Sequence, residues 1–191
     1  MIPYRPHPYP AESPLSFLVR VAFENGHVSI LDLVRSAYGV KSNNHLITIL
    51  SRPNEYRQLM KSLGFTNGYP ESITEWSGGY TLQRFEGHNM PNVLYRDDLS
   101  AFCPLCLKEE AYWRKLWSLH IYHACTKHGC RLLNSCSHCG SILGTKRSCL
   151  YKCANCDFDL RRTKPTTATN EILLLAQRIF GTTTDFRSLY L

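Results

Sequence analysis

The chain has 191 residues, of which 43% are hydrophobic and 19% charged, so it is not a disordered protein, and its length allows one domain or two small ones. No apolar run approaches the roughly 20 residues of a membrane-spanning helix, and we therefore expect no membrane contact. The formal net charge of +7 favours an acidic partner, nucleic acid above all, although an ordinary basic surface explains the charge equally well.

Two helices are predicted after a proline-rich arm that covers residues 1–10. Ser13 is a good N-cap and Pro14 suits the first helical position, so the first helix begins here and ends at Asn25-Gly26. Ser29 caps a second helix, which ends at Gly39. Helical spacing predicts the buried faces: Leu15, Leu18, Val19, Ala22 and Phe23 on the first helix, and Ile30, Leu33, Val34 and Ala37 on the second.

Two further helices are predicted before residue 65, the third over 44–50 and the fourth from Pro53 to Gly64. The fourth has Tyr56, Leu59, Met60 and Leu63 on its inner face. Several short helices with tight connections favour a helix-turn-helix module, and a plain helical bundle that packs against the rest of the chain is the alternative. Arg52, Arg57 and Lys61 are the side chains that would line a DNA-binding face.

The chain changes character near residue 100. Residues 65–98 lack periodicity, and we expect loops and short elements there, including a short helix over 73–76. All nine cysteines lie between Cys103 and Cys156. We therefore predict an α+β protein with a helical, helix-turn-helix-like domain over 1–98, a tandem zinc-binding region over 99–162, and a connector and C-terminal helix over 163–191.

Four pairs of metal-ligand residues, each with two residues between its members, occupy the second region. They are Cys103 and Cys106, Cys125 and His128, Cys136 and Cys139, and Cys153 and Cys156. This spacing lets one tight turn direct two ligand atoms at one ion and direct backbone N–H groups at the thiolates. Zn²⁺ prefers four nitrogen or sulfur ligands in a tetrahedron, so the sequence predicts two structural zinc ions.

Pairing in chain order gives one Cys₃His site and one Cys₄ site, while a cross-braced arrangement is the alternative. An iron–sulfur cluster competes with zinc for the all-cysteine site. Cys130, Cys149 and His138 fall outside the predicted ligand set. Seven thiolates remove seven positive charges and two Zn²⁺ ions return four, so the loaded protein would carry a charge of about +4.

The elements around the ligands are predicted from periodicity. A short helix is predicted over 107–113, and alternation over 117–122 indicates a strand that leads to Cys125. Residues 131–133 would return antiparallel to this strand. The last helix covers 170–180 and ends at Gly181, with Ile172, Leu175, Ala176 and Ile179 on its inner face.

Nothing in the sequence indicates catalysis. Catalytic zinc keeps an open coordination position, whereas both predicted sites are closed by four protein ligands. Zinc-protease, deaminase and phosphate-loop motifs do not occur. The acidic residues Asp97, Asp98, Glu109 and Glu110 lie close together in the sequence and are interpreted as surface and helix-start residues. We therefore expect no enzyme and no small-molecule substrate.

The N-terminal ten residues lack the basic and apolar pattern of a signal peptide, and an odd number of cysteines suits a closed disulfide framework poorly. We therefore expect a reduced, cytoplasmic protein.

Three passages of the sequence stand out together. They are Pro8 to Arg20; Phe102 to Cys106 with Tyr112, Trp113 and Trp117; and Cys125, His128, Gly129, Leu132, Leu133, Cys136, Cys139, Gly140, Cys153 and Cys156. Their order and spacing over residues 8–160 resemble the TniQ family, which includes the TnsD target selectors of bacterial transposons.

The resemblance implies a helix-turn-helix domain, two zinc-ribbon-like units and a non-enzymatic adaptor in DNA transposition. Such adaptors connect a target-recognising element to the AAA+ regulator TnsC. Some relatives bind specific DNA sites themselves, and others associate with a CRISPR Cascade complex, often as dimers. Many relatives continue well past the zinc units, whereas this sequence ends at Leu191, which favours the adaptor over autonomous target recognition. Only the eight zinc ligands carry over residue by residue.

Overall fold

The computed structural model describes residues 2–50, 52–70, 82–85, 88–91, 101–144 and 149–180. Its helices are α1 (Pro14–Glu24), α2 (Ile30–Tyr38), α3 (Asn43–Leu50), α4 (Pro53–Ser62), α5 (Pro104–Glu109) and α6 (Asn170–Phe180). Its strands are β1 (Leu82–Phe85), β2 (His88–Pro91), β3 (Ala124–Cys125) and β4 (Cys130–Arg131). The predicted α+β class is confirmed. Across the described residues, each helix is too short or too polar to cross a lipid bilayer.

The first helix begins and ends at the residues that the sequence predicts. The Ser13 side chain accepts a hydrogen bond from the Ser16 amide at 3.1 Å, and Pro14 occupies the first helical position. Burial extends over most of the helix surface, because α1 packs against α2 and its first turn also contacts Trp113 in the cysteine-rich half. The predicted inner position of Phe23 is wrong, since this side chain, one residue before the helix ends, is 53% exposed.

The next three helices form a series of contacts that begins at α1. Ser29 caps α2, and Gly39 ends it with a left-handed φ of 69°, as predicted. Contacts join α1 to α2, α2 to α4 and α3 to α4. Their shared core contains Ile30, Leu33, Val34, Leu46, Ile49, Tyr56, Leu59, Met60 and Leu63. The helix-turn-helix interpretation of this cluster stays a prediction.

A short hairpin lies in the segment for which the sequence predicts loops and short elements. Strands β1 and β2 pair antiparallel, with Leu82 opposite Pro91 and Phe85 opposite His88. The helix predicted over 73–76 and the domain boundary predicted at 98/99 lie outside the described residues, as does the predicted helix stop at Gly181.

The end of the N-terminal arm and the residues that follow it are hydrogen-bonded to the segment after α5. The Ser13 amide donates to the Trp113 carbonyl, the Lys115 amide donates to the Ala11 carbonyl, and the Trp113 amide donates to the Ser16 hydroxyl, each at 2.9 Å. In addition, the rings of Tyr9 and Tyr112 stack with centroids 4.7 Å apart. Because these contacts join residues about 100 positions apart, the helical half and the cysteine-rich half share one hydrophobic core.

A buried ion pair lies beneath this junction. The Glu12 carboxylate is completely buried and accepts hydrogen bonds from the Arg20 guanidinium at 2.8 and 3.2 Å. The Ser16 hydroxyl and the Tyr9 amide also donate to it. The carboxylate therefore lies in an environment that compensates its charge on several sides, as a buried ion requires.

Two elements near the cysteines differ from the prediction. The helix predicted over 107–113 is α5, which begins earlier because Cys103 is its N-cap and Pro104 its first residue, and which ends at Glu109. Residues 111–114 then extend along the N-terminal arm. The strand predicted over 117–122 is wrong: Lys115–Ser118 forms a 3-10 turn, and Leu116, Trp117, Ser118 and Leu119 are all buried. This continuous burial replaces the alternation that a strand would show.

The last helix has the predicted bounds and a different inner face. Ala176 is buried, and Ile172 and Leu173 pack against the core. The prediction for Leu175 is wrong, since it is 51% exposed. Leu173 faces inward instead, and its side chain lies 3.9 Å from the position that a Cβ on Gly129 would occupy. The side chain of Ile179 lies outside the described residues. Strand β4 pairs with β3. Cys130 of β4 also forms an antiparallel β-bridge with Thr167, in the connector before α6.

Candidate metal centres

The first metal cluster consists of Cys103, Cys106, Cys125 and His128. Helix α5 carries the first two residues, strand β3 ends on the third, and a tight turn places the fourth. The four ligand atoms all lie within 4.8 Å of one another, and the three cysteines are buried. The structure thus assembles the first and second ligand pairs at one point.

The distances in the first metal cluster match a single tetrahedral ion. His128 Nδ1 lies 3.3 Å from the sulfur of Cys106, 3.5 Å from that of Cys103 and 3.6 Å from that of Cys125. The sulfurs of Cys106 and Cys125 are 3.6 Å apart. Zinc with bonds of about 2.3 Å to sulfur and about 2.0 Å to nitrogen would set tetrahedral edges of about 3.8 Å and 3.5 Å. The donor set therefore fits zinc.

The second metal cluster consists of Cys136, Cys139, Cys153 and Cys156. Its ligand atoms also lie within 4.8 Å of one another. The sulfurs of Cys136 and Cys156 are 3.8 Å apart and those of Cys139 and Cys153 are 3.7 Å apart, which again matches the edges of a zinc tetrahedron. Sulfurs this close enclose one ion, whereas an iron–sulfur cluster holds several irons and sulfides between its cysteines.

The ligand pairs meet in chain order, the first with the second and the third with the fourth, and not in the cross-braced order. The backbone N–H groups within three of the turns point at sulfur, as the spacing predicts. The amides of Cys106, His138 and Asn155 lie 3.4 to 3.5 Å from the sulfurs of Cys103, Cys136 and Cys153. These contacts stabilise negative charge on the sulfur atoms.

A left-handed residue follows three of the four ligand pairs. Gly129, Gly140 and Asp157 have φ values of 61°, 72° and 55°. Each donates its amide to the carbonyl of the first ligand in its pair, at 2.8 to 3.0 Å. The positive φ reverses the chain immediately after the second ligand, which lets both ligand atoms face the same point. The first pair instead opens directly into α5.

The crowded sulfurs shift one another's pKa values in opposite directions. Hydrogen bonding with Cys106 lowers the pKa of Cys103 to about 7, and hydrogen bonding with Cys103 lowers the pKa of Cys125 far below its ordinary value. The same interaction with Cys103 raises the pKa of Cys106. Thiols at this distance share protons, because neighbouring thiolates repel each other. A divalent cation would let all three ionise, which is a second reason why the site fits Zn²⁺.

The cysteines and histidine outside the predicted ligand set have different surroundings. Cys130 is buried, and its sulfur lies 3.3 Å from that of Cys103, so it adjoins the first metal cluster. Cys149 is buried away from both clusters. His138 is exposed and stacks on Phe158 with ring centroids 5.4 Å apart. None of the three belongs to either group of four ligand atoms.

Glu109 is exposed, as the sequence predicts, but sequence reasoning missed its contacts at the edge of the first metal cluster. Its Oε1 lies 3.0 Å from His128 Nε2, and its Oε2 lies 2.6 Å from the Lys127 ammonium. Partial burial opposes ionisation of Glu109, but the hydrogen bonds from Lys127 and His128 prevail and lower the pKa of its carboxyl. Only the position of Glu109 three residues after Cys106, about one turn of α5, could have indicated that the carboxylate lies near the cluster.

Comparison with known proteins places this architecture in a family. The model of the TniQ family matches residues 3–132, which is more than half of the chain. The match includes the arm, the four N-terminal helices and the whole first metal cluster, and it ends before the second. A comparison with curated proteins found no match. The extent of the family match shows that the protein belongs to TniQ, a family of transposition-associated proteins.

Proposed function

We propose that the protein is a non-enzymatic, zinc-binding adaptor in DNA transposition. It connects a target-recognising element, such as a CRISPR Cascade complex, to the AAA+ regulator TnsC. The observation that carries the proposal is membership of the TniQ family together with two clusters of four ligands each. The eight ligands are Cys103, Cys106, Cys125 and His128 for the first Zn²⁺, and Cys136, Cys139, Cys153 and Cys156 for the second.

Both zinc ions are structural in this proposal. Four protein ligands fill the tetrahedral shell, so no coordination position is left for a water nucleophile or a substrate. The first metal cluster lies within the core that the two halves share, where it can stiffen the junction between them. A rigid surface that extends over both halves suits a protein whose role is to hold two partners in a fixed geometry.

Association with TnsC tests the adaptor. Zinc-loaded protein, TnsC, ATP and duplex DNA are mixed at micromolar concentration and separated by size-exclusion chromatography. We expect the protein to co-elute with TnsC. In a separate assay, we expect a supercoiled plasmid incubated with the protein and divalent metal to remain intact. Complete separation from TnsC would count against the adaptor, and nicking of the plasmid would indicate an enzyme.

A direct, sequence-specific DNA binder of the TnsD type is the second candidate. The formal charge of +7 favours it, and so do exposed cationic side chains on the helical half, among them Arg35, Lys41, Arg57 and Lys61. A gel-shift assay on random and target-site duplexes tests it. Salt-sensitive binding that Arg57→Glu and Lys61→Glu weaken would support this candidate. Binding that is absent at low salt would leave the adaptor alone.

A further inference from the structure

We propose that Glu109 is an outer-shell carboxylate of the first metal centre, where it orients the His128 ring so that Nδ1, and not Nε2, binds the ion. This inference rests on the zinc centre of the proposed function and adds a residue and a ring atom to it. The two ring nitrogens of the His128 imidazole have different neighbours. Nδ1 faces three sulfurs at 3.3 to 3.6 Å, and Nε2 faces the Glu109 carboxylate at 3.0 Å.

The hydrogen bond fixes the tautomer that a metal needs. A neutral imidazole carries one proton, and a metal binds the nitrogen that lacks it. A carboxylate can only accept, so the proton lies on Nε2 and is donated to Glu109. The lone pair on Nδ1 is then free for the ion. Carboxylate, imidazole and metal thus lie in the order found where outer-shell groups tune a zinc ligand.

The position of Glu109 follows from the first helix of the cluster. Glu109 is the last residue of α5, three positions after Cys106. One short helix therefore supplies two sulfurs and also supports the histidine that arrives from a different turn. The His128 side chain is 14% exposed, so it is largely shielded from water, and a hydrogen bond to it is worth more than one at the open surface.

Lys127 holds the other oxygen of the carboxylate. Its ammonium lies 2.6 Å from Oε2, and the two side chains are 52% and 43% exposed. An ion pair this open contributes little by itself. If Glu109 were only the partner of Lys127, either residue could be removed with the same small effect. If Glu109 orients His128, its removal affects the metal, and removal of Lys127 does not.

Zinc affinity separates these two cases. The full chain and the variants Glu109→Ala, Glu109→Gln, Lys127→Ala and Glu110→Ala are titrated against a chromophoric chelator. Glu110 is the matched control, since it is the adjacent carboxylate and lies 3.8 Å from Arg114, away from the histidine. We expect Glu109→Ala to weaken one of two zinc sites about 10- to 100-fold and to leave the other unchanged. The amide oxygen in Glu109→Gln can still accept from Nε2–H but carries no negative charge. The zinc affinity of this variant should therefore fall between those of the wild-type chain and Glu109→Ala.

The tautomer provides an independent readout. Long-range ¹H–¹⁵N spectra of the zinc-loaded protein should show His128 with metal on Nδ1 and a proton on Nε2 that exchanges faster in Glu109→Gln. Wild-type affinity at both sites in Glu109→Ala and Glu109→Gln, or metal on Nε2, would overturn the inference. If Glu109→Ala does not fold, the Glu109→Gln titration and spectrum decide. A wild-type chain that binds no zinc at all would instead refute the proposed zinc centre.

Discussion

At the scale of single residues, the buried carboxylate of Glu12 makes Arg20 a critical side chain. Arg20→Ala would leave a completely buried negative charge without its cation, and loss of one partner of a buried pair costs about 3–5 kcal/mol. We expect that loss in the free energy of unfolding, measured by urea denaturation of the zinc-loaded protein. The matched change is Glu24→Ala, which removes a partner that is 3.8 Å from Arg20 and 30% exposed.

Glu24→Ala should cost less than about 1 kcal/mol, because partly exposed pairs contribute little. Equal losses in the two variants would show that the Glu12–Arg20 contact is not an essential part of the junction. The contrast matters for function, since Ser16, one of the groups that bind Glu12, also receives the Trp113 amide. Loss of the Glu12–Arg20 ion pair should therefore loosen the connection between the helical half and the metal centres.

Cys130 poses the other question at this scale, because it is a fourth thiol beside the three cysteines and the histidine of the first metal cluster. Its sulfur contacts that of Cys103 at 3.3 Å, shorter than the edge of about 3.8 Å expected for two sulfurs on one zinc ion. We expect Cys130→Ala to retain two zinc ions per chain and Cys125→Ala to retain one. Elemental analysis of the reduced, gel-filtered proteins measures both. Loss of one zinc ion per chain from Cys130→Ala would show that Cys130 is a ligand, like Cys125.

At the scale of elements, a left-handed residue follows the second ligand in three of the four turns that carry the candidate ligands. Gly140 has a φ of 72°, and among the described residues no atom lies within 4 Å of where its Cβ would be. Gly140→Ala therefore isolates the backbone term, which costs about 1–2 kcal/mol for an L-residue in this region. Gly144 is the control, because the part of the chain that the structure describes places no atom within 4 Å of its Cβ position either, and its φ is not positive.

Gly144→Ala should leave the melting temperature unchanged or raise it slightly, since it only restricts the unfolded chain. Gly140→Ala should lower the melting temperature and raise the rate at which a chelator extracts zinc. The two variants add the same methyl group four residues apart, so any difference between them comes from backbone conformation. The same melting temperature in both would mean that the turn adapts without strain.

The elements also show how far sequence reasoning reaches. Local signals succeeded: Ser13, Ser29 and Gly39 mark helix ends, and two-residue spacing marks the four pairs that the structure brings together in two clusters. These features depend on hydrogen bonds within a few residues, and a sequence displays them directly. The start of α5 was mispredicted although its signal, Pro104 after the N-cap Cys103, is local. The end of α5 and the 3-10 turn at Lys115–Ser118 were mispredicted because the segment after α5 is shaped by contacts with distant N-terminal residues.

Side-chain partners across the chain were equally out of reach. Glu109 lies near His128 only because α5 and the turn after β3 meet around one point. The exposure of Leu175 likewise depends on how α6 is rotated against β3, which an amphipathic pattern fixes only to within a residue or two. The ligands of the candidate centres were therefore predictable from spacing, whereas the group that orients one of them required the tertiary structure.

At the scale of the whole molecule, the two metal clusters occupy different environments. The first lies inside the region that the TniQ model matches, and all its cysteines are buried in the core shared by both halves. The second follows that region, and its Cys139 is exposed. A chelator must reach the ligands to displace them, so burial controls the rate of metal loss. The first ion should therefore be held as long as the core remains folded.

Excess EDTA should thus release zinc in two phases, one equivalent quickly from the second centre and the other slowly from the first. The slow phase should coincide with loss of the signal from Trp113 and Trp117, which are buried beside α5 and the arm, because zinc binding and folding are coupled in such sites. A metallochromic dye and tryptophan fluorescence follow the two events in one experiment. Cys139→Ser removes the exposed ligand and should abolish the fast phase alone. A single phase, or an early change in fluorescence with the first equivalent, would show that the two centres stabilise the molecule as one cooperative unit.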